Sequence, residues 1–349
     1  MEPSAFPFPR KKNNMQENQL LEVLTREGVL INVSVRYWRA TKKLNAEDLG
    51  LDPERVTERL ISLGHKNLLP KEALEAFALV ESRAHALVEA STFPFLNGLS
   101  RFLPNAKLQE VLDKINGLAR DFALAKTDFL SRYAETRTKA SAEWLEAARK
   151  LVTDPERLVA TIEASFPPPE RMERFFEFST QLFQIRLPEK LDLELTGARQ
   201  QQEIIRVRER MAQEAGARIH HEVETFVSDC VASLRQQTAQ LCGEMLESMQ
   251  TGKTGVHQKT LNRLVKFIDE FKQLNFAGDR VMEEELERVR QAFLNRTAEE
   301  YRDSGFARTQ LQEGLQNLAD RARQLAEQDN REIVERFGNL GQRRLYLAA

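Results

Sequence analysis

Cysteine is scarce. Cys230 and Cys242 are the only two in 349 residues. Twelve positions apart on one helix, they would stand about 18 Å from each other, too far to bridge. A disulfide framework is thereby excluded, and the chain reads as one for a reducing, cytoplasmic compartment. Turn formers are few as well, with 15 Gly and 12 Pro, while 30% of residues are charged. That balance suits long helices with wide polar faces. Neither sign of charge dominates: 51 Lys and Arg stand against 53 Asp and Glu, a net charge of −2. A broad basic surface for duplex binding is disfavoured, and local basic patches stay open. No run approaches the roughly 18 consecutive apolar residues of a membrane-spanning helix. The opening MEPSAFPFPRKKNNM has no apolar segment of the secretory kind, so residues 1–14 are expected to form a flexible arm with a small basic cluster.

What is present is periodicity. Met15 to Arg26 predicts a short helix closed by Gly28. Val29, Ile31, Val33, Val35 and Tyr37 then alternate with polar residues, the strongest strand signal in the chain. A second strand is expected within Ile185–Leu195, where Leu191, Leu193 and Leu195 alternate with charges. Short helices are expected at 53–63 and 70–89, the first opened by Asp52-Pro53-Glu54. From Asn105 an apolar stripe at helical spacing runs to Leu151, and Asp154-Pro155 restarts a shorter helix. After Pro167-Pro168-Pro169 a further helix carries Phe175, Phe176, Phe178, Leu182 and Phe183. The longest stripe runs from Ile204 through Val223, Phe226, Cys230, Leu234, Thr238, Leu241 and Met245 to Met249. Its mean step of about 3.75 predicts a nearly straight or slightly right-handed seam. Helix resumes to Leu274, breaks at Asn275–Asp279, and continues with Met282, Leu286, Val289, Leu311, Leu315, Leu318, Leu325, Val334 and Phe337. Such rods cannot hide their stripes alone and are expected to pack antiparallel.

Chemistry is harder to find. Gly252-Lys253-Thr254 resembles the tail of a phosphate-binding loop, but the position that needs the leading glycine is Glu247, and the motif follows a helix rather than a strand. A helix hairpin explains it better, with Gly252 ending one rod and Lys259-Thr260 beginning the next. His220-His221-Glu222-Val223-Glu224 places His220 and Glu224 four apart, half of a metal site whose other half is missing. No serine or cysteine has a base at hand, so no catalytic, cofactor-binding or metal-ligating residue is assigned. Partner contacts are assigned to Arg36, Arg39, Lys42 and Lys43, which surround Tyr37 and Trp38, and to Lys253, Lys259, Arg343 and Arg344. The segment STFPFLNGLSRFLP, residues 91–104, reads as an apolar loop broken by Pro94, Gly98 and Pro104. It is expected to be a buried plug. The alternative is a membrane-inserting tip carrying Phe93, Phe95 and Phe102, too short to span a bilayer as a helix.

Three separated blocks, EGVLINVSVRYWRATKKLNAEDLGL, HQKTLNRLVKFIDEFKQLNFAGD and ERFGNLGQRRLYLAA, resemble one bacterial and phage family of unknown function. The similarity covers nearly the whole chain. Members of that family are often encoded on mobile elements or phages, near a MoxR-type AAA+ ATPase and a protein with a von Willebrand factor A domain. The resemblance implies a protein partner in an ATPase-driven system and carries over no catalytic residues.

These readings converge on a mainly α protein of long antiparallel helical rods, an elongated bundle or coiled coil with a small strand-containing head. Its divisions are expected at 1–14, 15–104, 105–195 and 196–349. The expected function is a non-enzymatic adaptor or substrate, cytoplasmic, working with the ATPase and the von Willebrand factor A protein and open to self-association. A pore-forming protein using the Phe-rich segment and a nucleic-acid binder using Arg36 to Lys43 are the readings from other classes.

Overall fold

The computed structural model describes residues 13–51, 63–96, 98–184, 200–251, 256–328 and 330–345. Its first half contains helix α1 (Asn13–Glu27), strands β1 (Gly28–Arg36), β2 (Thr41–Lys43) and β3 (His65–Asn67), helix α2 (Glu75–Ser91) and strands β4 (Phe93–Phe95) and β5 (Ser100–Pro104). Helices α3 (Asn105–Leu151), α4 (Pro155–Ala164) and α5 (Pro169–Met172) follow, then strand β6 (Glu177–Phe183). The elements that follow among the described residues are all helices: α6 (Gln200–Thr251), α7 (Gln258–Leu274), α8 (Arg280–Phe293), α9 (Ala298–Asp303), α10 (Gly305–Glu327) and α11 (Arg331–Leu345). The chain is mainly α with a small sheet of order β4-β5-β1-β6.

Contacts divide the chain into two units, each assembled from separated stretches. One comprises 1–31, 92–108 and 182–349; the other comprises 32–91 and 109–181. In the first unit α6 is the central element. At 52 residues it is about 78 Å long. Every residue of its expected stripe from Val223 to Met249 is buried, and Val227, Val231, Cys242 and Leu246 are buried beside it. Two adjacent apolar faces explain why α6 packs on α10 and also on α1, α7 and α11. The α6–α10 pair is antiparallel, since Ser228 meets Asn330 while Gly243 lies beside Arg323. Helices α7 and α8 form an antiparallel hairpin tied by Lys272–Glu287 at 2.8 Å and Arg290–Asp269 at 2.5 Å. The starts of α8, α9 and α10 are capped by Asp279, Thr297 and Ser304, whose side chains accept backbone N–H bonds.

Residues 91–104 are not a loop. They form the hairpin β4–β5, with Phe93 opposite Phe102 and Phe95 opposite Ser100, and β5 continues antiparallel along Gly28–Ile31 of β1. The prolines and glycine that suggested a loop sit where a strand tolerates them. Pro94 is on the edge strand, Gly98 is in the turn at φ +82°, and Pro104 ends β5. Gly28 is needed for close approach, because a Cβ there would overlap the Phe102 ring and the Leu103 carbonyl.

In the second unit α3 presents a narrow apolar stripe, Val111, Ile115, Phe122, Phe129, Tyr133, Ala140 and Ala148. Against it pack α2, α4 and an aromatic core in which Phe77 touches Tyr37, Phe122, Phe129 and Phe176. The helix expected over 175–183 is instead strand β6. Its phenylalanines satisfy either period, and the β propensity of EFSTQLF beside β1 decides in favour of strand. The helix expected at 53–63 and the strand expected within 185–195 lie, but for Leu63, outside the described residues.

Candidate functional site

The two arginines of the first block are paired within the protein. Arg36 pairs with Glu177 at 2.5 Å. Arg39 grips Glu81 with two bonds, Nη1 to Oε2 at 2.9 Å and Nη2 to Oε1 at 2.5 Å. Its guanidinium also lies 4.0 Å from the centre of the Tyr37 ring. The Arg39 hydrogen bonds hold the Glu81 carboxyl below its usual range, and burial pushes the Tyr37 phenol up. Lys42 and Lys43 sit on the exposed strand β2 opposite Lys66 and His65. Lys66 itself is buried and donates to Asp48 at 2.6 Å, which locks the β2–β3 hairpin to the turn at Ala46–Leu49. The strand block therefore builds structure around Tyr37 and Trp38, the latter packed on Tyr133 and Phe166.

Lys259 is exposed in the first turn of α7. Lys253 lies outside the described residues, as do the side chains of Arg343 and Arg344 on α11. His221 and Glu224 are exposed on α6, and no metal-binding cluster occurs among the described residues. Phe93, Phe95 and Phe102 are buried, at 5%, 2% and 2% exposure, and Phe95 and Phe102 pack on Phe226. Leu96 and Leu99 are large apolar side chains that this hairpin exposes to solvent. No described helix is long and apolar enough to cross a membrane.

A groove of about 360 Å³ lies between α6 and α7, lined by Gln237, Gln240, Leu241, Glu244, Arg263, Lys266, Phe267 and Glu270. Its charges answer one another: Arg263 meets Glu244 at 2.7 Å and Lys266 meets Glu270 at 3.5 Å. Hydrogen bonds from Gln240 and Arg263 lower the Glu244 pKa. The groove is polar, and its charged side chains are paired with one another. Both thiols are buried, and burial raises Cys230 well above its ordinary pKa and pushes Cys242 up to about 12.

Sequence reasoning passed over the most constrained polar group, Arg235. It is 3% exposed in the apolar face of α6. Nε donates to Asp279 Oδ2 at 2.6 Å, and Nη1 donates to the Leu325 carbonyl and to Asn330 Oδ1, each at 2.6 Å. Asp279 also caps α8 through Met282 N–H, and Asn275 Oδ1 accepts from the Asp279 N–H at 2.8 Å. Gly278 makes this turn at φ +74°, where a side chain would be strained. Asn330 in turn accepts the first helical bonds of α11, from Ile333 and Val334. The only sequence signal was a lone arginine at a buried angle of the longest stripe.

Beside this network Phe276 packs on Phe93, Phe102, Phe226 and Phe337 at centroid distances of 5.7, 4.8, 6.2 and 5.7 Å. Gly28, Phe276 and Phe337 belong to the three separated sequence blocks. All three meet this one aromatic cluster, Gly28 through Phe102. What the blocks share is a common junction in the core.

A family model described as a protein of unknown function, DUF3150, matches residues 25–320. The chain belongs to that family. No curated protein and no solved structure matches it.

Proposed function

We propose that this protein is a non-enzymatic helical adaptor or substrate of a AAA+ ATPase, acting together with a von Willebrand factor A protein in the cytoplasm, in phage, mobile-element or defence biology. The observation that supports this reading most is the use to which the three sequence blocks are put. Their glycine, aromatics and paired charges build a core junction and the β1–β3 region, and leave helical surface as what the protein presents. In this reading α3 and α6 serve as rods of an elongated bundle. The ATPase and its companion come from the family resemblance. A membrane-active role would require Phe93, Phe95 and Phe102 to leave a packed core, and a nucleic-acid role would require Arg36 and Arg39 to leave their carboxylates.

The test is size-exclusion chromatography with light scattering on the full chain. It is run alone and then with the ATPase and von Willebrand factor A proteins encoded beside it, with and without ATP. A stable or ATP-dependent complex supports the proposal. Absence of any complex, together with nucleotide or nucleic-acid turnover by the chain alone that a point substitution abolishes, would overturn it.

A further inference from the structure

Arg235 is bonded at once to two junctions far apart in the chain, Asp279 in the α7–α8 turn and Leu325 with Asn330 at the α10–α11 turn. We propose that Arg235 is a latch that makes these two junctions open together, so that α11 and the start of α8 leave the folded unit in one step. A guanidinium at this depth is tolerated only while its acceptors satisfy it. If α11 swings away and takes Asn330 with it, Arg235 loses the amide oxygen, and Asp279 with the Leu325 carbonyl of α10 leaves it under-satisfied. Relief comes when water reaches the guanidinium, which requires the Asp279 turn to move as well. In the reverse direction, loss of the Asp279 turn removes the only carboxylate in ion-pair contact with Arg235 among the described residues. The Phe276–Phe337 contact joins the same two segments by a second route. A partner gripping α11 would therefore act on the α7–α8 hairpin without touching it. This goes beyond the adaptor reading and does not rest on it.

Native-state hydrogen exchange read by mass spectrometry, on the full chain in a series of low urea concentrations, tests the latch. Protection is followed at 276–284 and 330–338, with 298–303 on α9 as the internal comparison. The latch requires 276–284 and 330–338 to open with the same free energy and the same urea slope, apart from 298–303. Different slopes at the two junctions, or opening only in the global transition shared with 298–303, would overturn it. Asn330→Ala removes one charge-assisted bond and should speed exchange at 276–284 by about tenfold. Acceleration confined to 330–338, or spread equally to 298–303, would count against the latch. Because the urea series uses the unaltered chain, it decides the matter whether or not Asn330→Ala folds.

Discussion

Phe276 and Phe337 lie edge to face, ring centroids 5.7 Å apart at 77°, although they stand 61 positions apart in the chain. Phe337 is fully buried, whereas Phe276 is half-buried at the hub of the cluster. Truncating the two should therefore be unequal. Phe337→Ala is expected to lower unfolding free energy by about 3–5 kcal/mol, and Phe276→Ala by less. Urea denaturation of the two variants checks the order, and a larger loss for Phe276→Ala would show that the cluster is not organised as described.

Two glycines are held by lack of space. A Cβ on Gly28 would overlap the Phe102 ring and the Leu103 carbonyl, and one on Gly314 would overlap the Phe293 ring. Both alanine variants should cost about 1–3 kcal/mol, against the usual gain from replacing a helical glycine in the case of Gly314. Backbone crowds Gly28 but only a ring crowds Gly314, so Gly28→Ala is expected to be the worse of the two. Thermal melts of the pair decide this.

The thiols should be silent. Cys242 is fully buried with its pKa pushed up to about 12, and Cys230 is raised as well. At neutral pH neither is expected to react with a thiol-specific aromatic disulfide on a minutes timescale, and both should react at once in denaturing urea. Rapid reaction of the folded protein would contradict this burial.

Tyr133 gives the chain an alkaline limit. Burial raises its phenol to about 12, and its hydroxyl donates to the Pro167 carbonyl at 2.7 Å. Below about pH 10 the folded and unfolded states both keep the proton, so the contribution is fully present. Between about 10 and about 12 the unfolded state releases it first, and stability falls as pH rises. Tyr37 and Tyr301, also raised by burial, act in the same direction. Tyr133→Phe should therefore show a shallower loss of urea midpoint from about pH 9 to about pH 11.5. An identical decline in both proteins would remove Tyr133 from the account.

Helix was legible where one period was sustained. The stripes of α3, α6 and α10, the restart at Asp154-Pro155 and the break at Asn275–Asp279 follow from spacing and helix-breaking residues alone. Short apolar stretches were not legible in the same way. Phe175 to Phe183 and Phe93 to Phe102 satisfy either period, and pairing makes strands of them: β6 and β5 lie on either side of β1, and β4 pairs with β5. The Arg235 network was hidden for a related reason. Its members stand at 235, 279, 325 and 330, and nothing local says that a turn residue, a helix-end carbonyl and an amide will meet one buried cation. The exposed basic tracts were conspicuous in sequence, but their pairing was not: Arg36 meets Glu177 and Arg39 meets Glu81, far along the chain.

The claim that the junction of α6, α7–α8 and α10–α11 organises this unit is tested most directly by a double-mutant cycle on Arg235 and Asp279. Asp279→Asn keeps the size and the helix cap but strands the cation, and should cost about 3–5 kcal/mol in urea unfolding. Combined with Arg235→Met, which fills the same space without charge, the loss should be smaller than the sum of the single losses by about 0.5–3 kcal/mol. Additivity within about 0.5 kcal/mol would mean that the two residues act independently, and the buried pair would not be the organising contact.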